Sequence, residues 1–114
     1  MRWTLSRDAG KTFDPPRVVD SESPLGRADV AFLNDGSVVV LWVASAGDDE
    51  KAEVRVRRYP AVGDPDDPIV VTKIAASRAS GFPRLASFGD RALVAWTDTD
   101  GPSIRVALLE LFER

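Results

Sequence analysis

The chain contains neither cysteine nor histidine. Thiol nucleophiles, disulfides, zinc sites of the usual ligand types and any Ser-His-Asp triad are therefore excluded from the start. Chemistry has to come from carboxylates, tyrosine, lysine or arginine. Two short segments stand out, Pro24-Leu25-Gly26-Arg27-Ala28-Asp29 and Ser80-Gly81-Phe82-Pro83-Arg84-Leu85, each placing one arginine beside a strand-like run. Two guanidinium groups brought together would make an anion site, because the planar fork of arginine holds both oxygens of a carboxylate at once. The plainer alternative is a local ion pair, since Asp29 falls on the same strand face as Arg27. Surface pairs of that kind contribute only roughly 0–1 kcal/mol. Asp29 and Asp98 are candidates for a pocket rim, as is Ser45, though Asp98 and Ser45 suit hairpin tips better. Trp42 and Trp96 could stack on sugar rings, but their recurrence at one strand position points to core.

These residues need elements to hold them, and the elements read as short β runs with no helical period. Nine candidate strands are expected over Arg2–Leu5, Pro16–Val19, Asp29–Leu33, Ser37–Val43, Glu53–Tyr59, Ile69–Ile74, Arg84–Ser87, Arg91–Thr97 and Ser103–Leu111. Asn34-Asp35-Gly36 and Phe88-Gly89-Asp90 supply residues that tolerate positive φ in tight hairpins. Asp48-Asp49-Glu50-Lys51 and Asp98-Thr99-Asp100-Gly101-Pro102 read as solvated hairpin tips.

Laid side by side, the strands repeat. Gly36-Ser37-Val38-Val39-Val40-Leu41-Trp42 corresponds to Asp90-Arg91-Ala92-Leu93-Val94-Ala95-Trp96. An acidic hairpin follows each, and then an alternating strand, Glu53-Val54-Arg55-Val56-Arg57 or Ser103-Ile104-Arg105-Val106-Ala107. Val18 and Val70 are 52 residues apart, and Arg27 and Arg84 are 57 apart. A period of roughly 50 residues with four short strands is that of a propeller blade. The expected division is the end of one blade over 1–20, a whole blade over 27–75 and three strands of a further blade over 84–112. Such a register leads us to expect a fragment of a larger ring.

Whole-chain quantities agree with an ordinary folded domain. At 114 residues, 44% apolar and 29% charged, the chain is large enough for a core and not composed like a disordered one. The net charge of −3 and scattered basic residues lack the footprint of a nucleic-acid binder. The longest apolar runs are too short to span a bilayer. Met1 runs directly into strand-like sequence with no signal peptide, so if the parent is exported its signal is expected upstream.

Ser6-Arg7-Asp8-Ala9-Gly10-Lys11-Thr12-Phe13 fits the Asp-box pattern Ser-x-Asp-x-Gly-x-Thr-Phe. Ser6 and Asp8 are expected to bond the turn's own backbone, Gly10 to take a conformation a Cβ obstructs, and Phe13 to fold into the apolar layer between sheets. Through this box, the blade period and the strand tryptophans, the chain resembles the sialidase-like propellers, or bacterial neuraminidase repeat proteins. The middle repeat departs from the pattern, with Pro60-Ala61-Val62-Gly63-Asp64-Pro65 where a box would stand.

The resemblance implies an all-β chain of about two four-stranded antiparallel blades from a six-bladed ring. It implies a parent of exo-α-sialidase type acting on acidic sugars, extracytoplasmic, needing no cofactor or metal, with the remaining blades as this segment's partner. In that family the boxes lie on the face opposite the active site, and three arginines from different blades bind the substrate carboxylate. Arg27 and Arg84 are candidates for part of such a cluster, by their place in the blade. The family's nucleophile is a tyrosine activated by a glutamate, with an aspartate as acid/base. Tyr59, the one tyrosine, is expected on the wrong face and at the wrong radius, so the segment is not catalytic alone. Two other readings stand beside a glycosidase: a non-catalytic propeller module binding a glycan or protein, and a small β protein that completes its ring by oligomerising.

Overall fold

The structure is a computed structural model describing residues 1–20, 24–47, 50–77, 81–98 and 103–110. It is all-β, with nine strands and no helix among the described residues: β1 (Arg2–Trp3), β2 (Arg17–Val18), β3 (Pro24–Phe32), β4 (Val38–Ser45), β5 (Lys51–Tyr59), β6 (Ile69–Ala75), β7 (Arg84–Phe88), β8 (Arg91–Asp98) and β9 (Ser103–Glu110). They form three antiparallel meanders in chain order: β1-β2, β3-β4-β5-β6 and β7-β8-β9.

The edges differ from expectation for local reasons. β1 and β2 are only two residues each, because Pro15 and Pro16 have no N–H to extend the ladder. The last link beyond β1 is the Asp14 N–H bonded to the Leu5 carbonyl at 2.8 Å. β3 begins at Pro24, five residues earlier than expected, and carries an irregularity between Gly26 and Asp29. Gly26 sits there at φ +85° and Arg27 at φ +53°. The positive φ at Arg27 is uncommon for a residue with a Cβ and marks a bulge.

The four-stranded sheet is the middle layer, and β4 shows why. Its run Val38 to Ala44 is buried on both faces, as an unbroken apolar strand must be. Val39, Leu41 and Val43 join Val54, Val56, Leu85, Ala92 and Val94 in the core shared with the three-stranded sheet. Val38, Val40, Trp42 and Ala44 face the other way, toward Val19, Tyr59, Met1 and Trp3. Trp96 packs into the first core and Trp42 into the second. Each tryptophan thus faces the sheet before its own, which favours core over an exposed sugar platform.

The far face of the three-stranded sheet is uncovered. Ile104, Val106 and Leu108 are exposed there. By register, Thr97 opposite Ile104 and Ala95 opposite Val106 repeat Val43 opposite Val54 and Leu41 opposite Val56. The same pattern is buried in one sheet and bare in the next.

Candidate functional site

The sheets have two ends to consider. The upper end holds the starts of β3 and β7 with the candidate arginines; the lower end holds the box and the Asn34-Asp35-Gly36 and Gly89 turns, which touch through an Asn34 N–H to Gly89 carbonyl bond of 3.2 Å.

At the upper end, Arg27, Asp29 and Arg84 meet along the line where β3 passes β7. Asp29 links the two strands: Oδ2 accepts the Leu85 N–H at 2.9 Å, and Oδ1 accepts the Val30 N–H at 2.9 Å. The same Oδ2 lies 3.9 Å from Nε of Arg84, whose side chain is 82% exposed. Among the described residues Arg27 makes no ion pair with Asp29. Its guanidinium reaches backbone carbonyls instead, those of Gly81 at 3.3 Å and of Ala76 and Ser77 at 3.5 Å, and lies 5.9 Å from the Phe82 ring centre. It clasps the connection between the second and third sheets. An open hollow of about 570 Å3 adjoins it, lined by Leu25, Arg27, Gly81 and Phe82.

The register corrects one expectation. Arg84 pairs with Ala95, the residue before Trp96, and the residue before Trp42, Leu41, pairs with Asp29. Asp29, not Arg27, therefore holds the position equivalent to Arg84. The strand starts at Pro24 and is irregular between Gly26 and Asp29, which sets Arg27 off the register that Asp29 and Arg84 share. The two guanidinium groups lie at one end of the fold but are not repeat mates.

The other rim candidates stand apart. Asp98 is paired with Nε of Arg105 at 2.9 Å and lines a separate cleft with Trp96 and Thr72. The Ser45 hydroxyl accepts the Gly47 N–H at 3.2 Å, as a turn residue does. Both acidic hairpin tips fall partly outside the described residues, at 48–49 and 99–102.

At the lower end, the box closes on itself. The Ser6 hydroxyl accepts the Gly10 N–H at 2.7 Å, and Asp8 accepts the Thr12 N–H at 2.9 Å and the Thr12 hydroxyl at 2.6 Å. Ala9 at φ +63° and Gly10 at φ +91° make the turn. The Thr12 side-chain and backbone bonds, then that from Ser6, hold the Asp8 carboxyl down at about 2 from 3.8. Asp8 is therefore ionised and fully engaged with its own turn. Phe13 departs from expectation: it is 60% exposed, because the two-stranded sheet has no described layer on its far side to receive it. In the middle sheet, where the box is missing, an ion pair holds the equivalent loop, Arg58 Nε to Asp66 Oδ2 at 2.8 Å.

Tyr59 is 2% exposed, and its hydroxyl donates to the Val18 carbonyl at 2.7 Å. A phenol so buried and bonded, at the lower end, is not placed to attack a substrate. Sequence reasoning missed Asp20, whose side chain is 7% exposed. It accepts the Trp42 indole N–H at 3.0 Å and lies 3.6 Å from Arg55. The only hint was an acid immediately after an apolar strand. No cluster of three or more potential metal ligands occurs among the described residues, nor any helix long and apolar enough to cross a membrane.

Comparisons with protein-family models, curated proteins and solved structures find no match to this chain.

Proposed function

We propose that this chain forms about two blades of a six-bladed sialidase-like β-propeller and serves in a non-catalytic binding module whose upper face takes an acidic carbohydrate. The observation that carries the ligand reading is Arg84, an exposed guanidinium held only loosely by Asp29, at the end of the fold where Arg27 lines an open hollow. Its fork is available to a sugar carboxylate. Supporting the propeller reading are the repeated tryptophans, each facing the preceding sheet, and the bare apolar face of β8 and β9. A further blade would cover that face, so the remaining blades are this segment's partner. The resemblance carried by the Asp-box supports an extracytoplasmic setting for the parent, and the binding role calls for no cofactor.

Favouring binding over hydrolysis is the burial of Tyr59 together with the commitment of Arg27 to backbone carbonyls. Fold resemblance by itself carries no activity. The second reading is an exo-glycosidase of the sialidase type, with the nucleophile on another blade; the exposure of Arg84 suits it equally. The test is calorimetric titration of the full-length protein with N-acetylneuraminic acid and with a neutral hexose. Binding of the acid alone, weakened at least tenfold by Arg84→Ala, is expected. Equal affinity in that variant would sink the ligand reading.

A further inference from the structure

The seam between the two-stranded and four-stranded sheets, at the end away from Arg84, holds donors that the described fold does not use. Trp3 and Arg17 are cross-strand partners of β1 and β2, so their side chains share the face turned to the four-stranded sheet. The half-buried Arg17 guanidinium lies over two rings, 4.9 Å from the Tyr59 centre and 5.7 Å from that of Trp3. Among the described residues it makes no hydrogen bond and no ion pair. The Trp3 indole nitrogen is also buried without an acceptor. Both residues line one cavity of about 110 Å3, with Tyr59 as a third wall.

Nearby groups are already committed. Arg7 and Asp14 at the rim pair with each other at 3.1 Å. Arg57, also over the Tyr59 ring, donates to the Asp66 carbonyl at 2.8 Å, and the Tyr59 hydroxyl is spent on Val18. Arg17 is left as a stacked, oriented cation without an anion, beside an N–H without an acceptor. A buried N–H left without an acceptor is costly unless met. The cavity is smaller than pockets for drug-sized ligands but has room for a small group, and stacking on aromatic rings leaves the edge of a guanidinium free to bond.

The geometry points to a carboxylate-binding pocket at this seam, in which Arg17 supplies the charge and the bidentate fork and the Trp3 indole N–H supplies a further donor. It is independent of the upper-face ligand and lies at the opposite end of the sheets. The carboxylate has two sources, a free small acid or the acid group of a sugar.

The test is a titration of the full 15N-labelled chain with sodium acetate and, separately, sodium glucuronate, against sodium chloride at constant ionic strength. The three tryptophans give three indole signals, and Trp3→Phe identifies the relevant one. A saturable shift of the Trp3 signal with acetate, glucuronate or both is expected, weakened at least tenfold in Arg17→Gln and unchanged in Arg2→Gln. Response to acetate alone assigns the free acid; an equal or stronger response to glucuronate assigns the sugar acid. Should Arg17→Gln fail to fold, Arg17→Lys keeps the charge without the fork and must still bind several-fold more weakly. No saturable shift, the same shift with chloride, or undiminished affinity in the folded Arg17 variants would overturn the pocket.

Discussion

The indole N–H of Trp42 donates to Oδ2 of Asp20 across 3.0 Å, inside the seam between the first two sheets. Arg55, the cross-strand partner of Trp42, closes the group from 3.6 Å and is itself bonded to Glu53 at 2.6 Å. The backbone carbonyl of Asp20 also accepts the N-terminal ammonium of Met1 at 2.9 Å. A single carboxylate thus joins the two-stranded sheet to the strand that is buried on both faces. Asp20→Ala would leave the buried indole donor without its acceptor and Arg55 with Glu53 in place of two carboxylates. The expected cost is about 1–3 kcal/mol, read as a lower urea midpoint at unchanged slope. Asp20→Asn keeps an acceptor for the indole and should cost less. An unchanged midpoint for Asp20→Ala would contradict this role.

Asp8 gives a pH dependence with a definite sign. Its carboxyl is depressed in the folded chain to about 2 from 3.8. Stability from the box is therefore fully present above pH ~4 and is lost as pH falls through ~2. Melting temperatures between pH 5 and 2, followed by circular dichroism, should fall more steeply for the wild type than for Asp8→Asn. Parallel curves would remove Asp8 from the acid response.

Asp29 is expected to act on the seam between β3 and β7 rather than on a ligand. Asp29→Ala leaves the Leu85 N–H without its 2.9 Å acceptor, a loss of about 1–3 kcal/mol for a donor left unmet. Hydrogen exchange at the Leu85 amide should quicken in that variant more than exchange within β4. Protection at Leu85 equal to wild type would show that the bond is dispensable.

Much of the architecture was legible in the sequence, and the reasons are local. Asn34-Asp35-Gly36 and Gly89-Asp90 fix hairpins, and the unbroken apolar run before Trp42 marks a strand covered on both faces. The Asp-box was readable because all its bonds lie within seven residues, Ser6 to Thr12. What escaped depends on contacts far apart in the chain. The bulge at Gly26 and Arg27 shifts the strand register, so the two arginines looked like repeat mates when Asp29 is the mate of Arg84. Asp20 reads as a loop acid until Trp42, 22 residues on, is folded over it. The exposure of Phe13 reflects what does or does not lie beyond the two-stranded sheet, which no local pattern encodes.

The bare face of the three-stranded sheet should make the chain associate. Ile104, Val106 and Leu108 are exposed there by 76%, 61% and 50%, a contiguous apolar stripe of the kind that marks an interaction surface. Sedimentation velocity of the 114-residue chain should show mass rising with concentration. The pair Val106→Lys and Leu108→Lys should abolish that rise, since charge on an open sheet opposes sheet-to-sheet contact. A wild-type chain that stays monomeric at high concentration would contradict the need for a covering sheet.

The most direct test of a binding module against a glycosidase is hydrolysis of a fluorogenic sialoside by the full-length protein, run beside the same protein carrying Arg84→Ala. The account predicts no turnover above the blank in either, while N-acetylneuraminic acid raises the melting temperature of the wild type and not of the variant. Turnover by the wild type that Arg84→Ala abolishes would contradict it and establish a catalytic carboxylate clamp.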